Sequence, residues 1–133
     1  MRLTRLCAYA LTALAHLARR PAGAPVPSHV IAGAAALPEE FLRKALKLLA
    51  RAGVLLAVKG SNGGYALARP AKHIALLEVV EAVDGPVRGA APPVGRGGAA
   101  ALDRRLQGVC DQAAELVRRR LGKVTVAELS QGA

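Results

Sequence analysis

Apolar residues recur along the chain in blocks whose spacing changes from helical to extended and back. Leu3, Cys7, Ala10, Leu14 and Leu17 fall at the three-to-four spacing of one buried helix face. The pattern predicts a helix from Thr4, a good N-cap, to about Arg20, ended by Pro21 and Gly23. A second, short helix is predicted from Ser28 as N-cap to about Ala36, burying Val30, Ile31 and Ala34 or Ala35. Leu37 and Pro38 turn the chain into a third, with Pro38 near its first position, Glu39 and Glu40 in its first turn and Gly53 at its close.

Residues 54–58 and 65–69 then form two short apolar segments joined by Lys59-Gly60-Ser61-Asn62-Gly63-Gly64, whose glycines can take the positive φ values of a hairpin turn. A fourth helix is predicted from about Leu76 to Val83. Residues 86–98, rich in Gly and Pro, predict an irregular, flexible loop. From Ala99 to Leu121 helical spacing returns, with Leu102, Leu106, Val109, Ala113, Leu116 and Val117 on one stripe. At about 1.5 Å per residue this helix is roughly 35 Å long. A domain so small cannot cover it, so its stripe is expected to pack on the same helix of a second subunit. Thr125-Val126-Ala127-Glu128 has the capping-box pattern of one last short helix.

Helix, helix, helix, hairpin is the order of a winged helix-turn-helix. The expected fold is mainly α with a small two-stranded β wing, plus a long dimerisation helix. Residues 1–84 make the DNA-binding domain, 85–98 the flexible loop, and 99–133 the dimerisation helix and the short C-terminal helix.

Charge sharpens this picture. Nineteen Lys and Arg against nine Asp and Glu give a formal net charge of +10 on 133 residues, which points to a polyanionic partner. An anionic membrane is disfavoured: no apolar run approaches the roughly 20 residues of a spanning helix, and no basic amphipathic segment has a bulky aromatic face. The N-terminal stretch lacks a convincing signal-peptide core and cleavage site. Two cysteines, Cys7 and Cys110, rule out a disulfide framework and suggest a reducing cytoplasm. With Tyr9, Phe41 and Tyr65 as the only aromatics, base stacking on single-stranded RNA is not expected.

On the third helix Phe41, Leu42, Ala45, Leu46, Leu48 and Leu49 supply the core side. Glu40, Lys44, Lys47 and Arg51 follow along the other, with Arg43 beside them. This is a cationic stripe where a helix-turn-helix presents its recognition helix to the major groove. Basic side chains there bind phosphates, and Arg43 could make a two-bond contact with guanine. Lys59 sits at the ribbon tip between glycines that let the backbone approach a phosphate or enter a minor groove, and Ser61 and Asn62 add neutral hydrogen bonding. The candidate DNA-contacting set is Ser28, Pro38, Glu39, Glu40, Arg43, Lys44, Lys47, Arg51, Lys59, Gly60, Ser61, Asn62 and Gly63. No catalytic acid and base pair, nucleophile elbow or phosphate loop appears, so no enzyme activity is expected. His16, His29 and His73 lack the mutual spacing of a metal-ligand set.

Several runs resemble one family, the Rrf-two (Rrf2) group of iron-sulfur cluster regulators and nitric-oxide-sensing repressors. They are Met1-Arg2-Leu3-Thr4, Tyr9-Ala10, Phe41-Leu42, Ala52-Gly53-Val54, the wing from Lys59 to Pro70, Ile74, and Glu81-Ala82-Val83-Asp84-Gly85. Gly63-Gly64-Tyr65-Ala66-Leu67-Ala68-Arg69-Pro70 is the most specific of them. The resemblance implies a dimeric transcription factor whose third helix enters the major groove and whose wing reaches the minor groove. Many members hold an iron-sulfur cluster on three cysteines in the loop after the fourth helix. Here no Cys, His, Asp or Glu lies between Gly85 and Leu102, so no cofactor is expected. Cys110 lies on the apolar side of the long helix and reads as core. Lys59 stands where members generally have Arg, keeping the charge but not the planar fork.

Cys7 has two readings. It is either a small core residue or a redox thiol activated by the first helical turn and by Arg2 and Arg5. The leading expectation is sequence-specific binding of double-stranded DNA by a homodimer. The alternative is a small-molecule or thiol-redox sensor or adaptor in which DNA contact is secondary.

Overall fold

A computed structural model describes residues 1–21, 23–93 and 100–131. Helix α1 runs over Arg5–Ala18, and the Thr4 hydroxyl accepts the Cys7 amide at 3.1 Å, as its N-cap role requires. Cys7, Ala10, Ala13, Leu14 and Leu17 are buried. Leu3, expected on the same stripe, precedes the helix, leaves its periodicity and stays exposed.

Helix α2 is Ser28–Ala35, and its N-cap is Pro27 rather than Ser28. The reason lies one residue earlier, where Val26 exchanges two backbone hydrogen bonds of 2.9 Å with Tyr65 and holds the chain extended. The Pro27 carbonyl then accepts the Val30 and Ile31 amides, at 3.0 and 3.1 Å. Ile31 and Ala32 are the buried pair; Val30 and Ala35 are half-buried and Ala34 is exposed. The helix ends on Ala36 in the left-handed region (φ 55°, ψ 44°), with the Leu37 amide bonded back to the Ala32 carbonyl at 2.9 Å.

Pro38 is the N-cap of α3, Glu39–Arg51. Leu42, Ala45, Leu46 and Leu49 form its buried ridge against α1 and α2. Phe41, expected in the core, is 57% exposed, and Leu48 is half-buried. At 100° per residue Phe41 falls about 90° from the middle of the ridge, so only the narrower stripe enters the core. Gly53, at φ 81°, lets the Val54 amide return to the Leu49 carbonyl at 2.9 Å and turns the chain into the wing.

Strands β1 (Leu55–Val58) and β2 (Gly64–Leu67) pair antiparallel, with Leu55 opposite Leu67 and Val58 opposite Gly64. A 3-10 turn follows at Ala71–His73, and then α4, Leu76–Asp84, where Glu78 accepts the Ala75 amide at 3.0 Å. Helix α5 covers Ala100–Gly122; its expected start at Ala99, like loop residues 94–98, lies outside the described residues. α5 packs on α4 through Ala114. The last helix, α6 (Val126–Gln131), starts as its capping box predicts, with the Glu128 amide on the Thr125 hydroxyl at 3.2 Å. It packs on α1 and puts Val126 in the same core as Leu14, Leu46 and Ile74. α6 therefore completes the core built by the N-terminal helices. No helix among the described residues is long and apolar enough to cross a membrane.

Ala36 carries the only positive φ of a non-glycine residue among those described. Left-handed backbone costs an L-residue roughly 1–2 kcal/mol, and added glycine freedom in the unfolded chain offsets roughly 0.4–1 of that. Ala36→Gly is expected to stabilise the fold by about 1 kcal/mol, read as a higher denaturation midpoint at unchanged slope.

Candidate nucleic-acid interface

α3 and the wing together present the charged surface. On the α3 wheel Glu40, Lys44, Lys47 and Arg51 fall within about 60° of arc, opposite the buried ridge, and all four are exposed. Arg43 lies on one flank, where its guanidinium donates to Glu39 at 2.8 Å. That pair is exposed and spaced four apart, so it is worth only about 0.3–0.5 kcal/mol and frees Arg43 readily. Phe41 lies on the opposite flank. Pro38 and Glu39 begin the helix, whereas Ser28 is half-buried at the other end of α2 from the turn.

Ion pairing sorts the cations in part, since Arg2, Arg5, Arg19 and Lys72 also lack a salt bridge among the described residues. Among the described residues Lys44, Lys47, Arg51 and Lys59 have no salt bridge, whereas Arg69 pairs with Glu78, Arg118 with Glu81 and Glu115, and Arg119 with Glu115. The asymmetry runs through the whole chain. Residues 1–77 hold eleven Lys and Arg but only two acids, Glu39 and Glu40, and so carry nine of the ten net positive charges.

In the wing, Lys59, Gly60, Ser61 and Asn62 are exposed. Gly63 is buried, and its role differs from the expected approach to a phosphate. A Cβ there would meet the Val58 carbonyl oxygen at 2.1 Å, and one on Gly64 would meet the Val26 carbonyl at 2.3 Å. Both glycines let the wing close on itself and on the strand-like segment before α2. Gly60, at φ 107° with open space around it, remains the position where the backbone is free to approach a partner.

Cys7 is fully buried, and its thiol is pushed from the ordinary 9.0 up to about 11 by burial and then by the Asp84 carboxylate. Of the two readings of Cys7, its burial matches the small core residue, and neither Arg2 nor Arg5 is among the causes of its shift. Asp84 instead reaches Thr4, accepting its amide at 3.2 Å and its hydroxyl.

The loop after α4 is tied to α5 by a residue that sequence reasoning passed over. Gln107 donates to the Gly89 carbonyl at 2.9 Å and accepts the Ala91 amide at 3.1 Å, and it also donates to Asp111 at 2.8 Å. Beside it the Val87 amide donates to Glu81 at 3.0 Å. Gly89 lies so close to α5 that a Cβ would sit 2.3 Å from the Cys110 carbonyl carbon. Cys110, expected as core, is half-buried beneath this loop. A glutamine on an amphipathic helix looks like any solvated position; only the fold reveals its partners. Among the described residues no three His, Cys, Asp or Glu side chains lie close enough to hold a metal ion.

The Cys7 environment sets a pH window. Because the folded thiol titrates above its unfolded value, the stability it confers is complete below about 9 and fades as the pH rises toward about 11. Native protein at pH 8.5 is expected to leave Cys7 unalkylated by iodoacetamide until it is unfolded, as read by peptide mass.

Known proteins share this architecture. The family model described as Rrf2, an iron-dependent transcriptional regulator, matches residues 3–132. The HTH-type transcriptional regulator IscR of Escherichia coli O1:K1 is 36% identical over 84 residues, 63% of this chain and 52% of IscR. The chain spans about half the length of the curated relatives it matches. Among solved structures, CymR, the global cysteine regulator of B. subtilis, superposes with a TM-score of 0.76 at 20% identity, covering 100% of this chain and 98% of CymR. IscR of T. potens gives 0.70 at 20% identity over 99% of this chain and 88% of its own. These likenesses show the winged-helix fold, and with the family match across nearly its whole length the chain belongs to the Rrf2 family of transcriptional regulators.

Proposed function

We propose that this chain is a cytoplasmic, sequence-specific regulator that binds double-stranded DNA as a homodimer and does so without an iron-sulfur cluster. α3 enters the major groove with Lys44, Lys47 and Arg51 against phosphates, Arg43 released from Glu39 toward a base edge, and Lys59 of the wing over the adjoining backbone. The observation that carries this reading is the gathering of exposed cations without an acid partner, Lys44, Lys47 and Arg51 on one face of α3 and Lys59 at the wing tip. A phosphate supplies the missing counter-charge and releases condensed ions as it binds.

The homodimer rests on α5. Leu102, Val109 and Leu116 are 59, 61 and 66% exposed, and with Leu106 and Ala113 they form a stripe about 110° around the helix from its domain-facing side. So large an apolar row on a monomer signals a protein partner, and a second α5 matches its length.

The cluster-free reading rests on donor chemistry. An iron-sulfur cluster needs thiolates, and the loop after α4 offers none; the Gln107 amide is already satisfied by loop backbone. The residues present do not fit the family's iron group. Burial of Cys7 supports its reading as a core residue over that of a redox thiol.

Replacing both Lys44 and Lys47 by Ala should weaken binding about equally on every duplex and reduce the slope of log K against log salt by about 1.8 for each protomer bound. Unchanged affinity would remove α3 from the interface. Protein purified anaerobically should show no visible cluster absorbance and the same DNA affinity as aerobic protein; a stoichiometric band that alters affinity would contradict the cluster-free reading.

A further inference from the structure

A cavity of about 400 Å³ lies between the first turn of α1 and the flank of α3, lined by Thr4, Arg5, Leu6, Tyr9, Phe41 and Lys44. It carries two cations, Arg5 and Lys44, and no carboxylate. Both are exposed and neither has a salt bridge among the described residues. Asp84, the acid that reaches Thr4, is engaged by the Thr4 amide and hydroxyl. Residues 1–38 contain no Asp or Glu at all, so nothing in the N-terminal helices neutralises Arg5. The floor is apolar, with Leu6 and Tyr9 half-buried, and Phe41 stands more than half exposed at the rim.

These features owe little to the protein's own packing. Phe41 and Arg5 contribute little to that packing, one being more than half exposed and the other without an acid partner. They do fit an anion carried on a partly apolar scaffold. We propose that the first turn of α1 is a second DNA-contact element, in which Arg5 and Lys44 together hold one backbone phosphate and Phe41 lies against the adjoining deoxyribose. The site continues the α3 stripe, since Lys44 belongs to both, and it extends the footprint from the groove to the strand bordering it. Arg5 acts here by charge and by its forked donors, so it sets register rather than base sequence. The inference rests on the DNA-binding reading above.

The test compares Arg5→Gln with Arg19→Gln, using the full chain and a mixed-sequence DNA duplex over a salt series. Arg19 is also exposed and cationic but lies at the far end of α1, about 20 Å along the helix. Arg5→Gln should weaken binding roughly five- to tenfold at about 0.1 M salt and lower the log K against log salt slope by about 0.9 for each protomer bound. Arg19→Gln, with the same loss of net charge, should change affinity less than about twofold. Wild-type binding with an Arg5→Gln variant that matches it, or two variants that weaken equally, would overturn the α1 contact and leave the α3 interface standing. Failure of the wild-type chain to bind duplex DNA would instead remove the underlying reading, and this inference with it.

Discussion

Nine carboxylates serve nineteen cationic side chains, and where the fold places those few acids decides what the rest of the surface can do. Three of them stand on α4 and join it to four other parts of the molecule. Glu78 holds Arg69 at the base of the wing while accepting the Ala75 amide. Glu81 pairs with Arg118 of α5 and accepts the Val87 amide of the loop. Asp84 fixes Thr4, the cap of α1. Each pair is partly exposed and contributes little free energy, which comes mainly from the apolar core of α1, α3, α4 and α6. Their effect is geometric: wing, long helix, loop and N-terminus are all referenced to one helix. The consequence is electrostatic, because acids gathered after residue 77 leave the N-terminal surface almost uncompensated.

The same allocation links the loop to the start of α1. The segment that holds thiolates in many family members is here bound by the Gln107 amide and by Glu81, and Glu81 is three residues from Asp84 on α4. A change at this loop would reach the α1 cap through a single helix. A chain of contacts thus runs from the loop through α4 to the cap of α1.

Much of the fold was legible because Pro and Gly punctuate it. Pro21, Pro38, Gly53 and Gly85 mark helix ends within three residues, and the wing run is distinctive. What escaped was whatever depends on contacts between distant segments. Ser28 loses its cap to Pro27 because Val26 pairs with Tyr65, thirty-nine positions later. Gly63 and Gly64 read as freedom at the tip, yet they are close approaches of backbone to Val58 and Val26. Phe41 and Leu3 satisfy a helical spacing but miss the narrower stripe that the neighbours cover. Cys7 reads as electropositive along the chain, and in space it faces Asp84 from within the core. The α3 stripe was legible in full, since a single helix fixes its own faces; its α1 extension was not, since the cavity exists only after packing.

The salt dependence of duplex binding by iron-free wild-type protein tests the account most directly. With Lys44, Lys47, Arg51 and Lys59 on phosphates in each of two protomers, log K should fall linearly with log salt with a slope of about −7. A slope near zero, or binding that appears only after iron and sulfide are supplied, would contradict it.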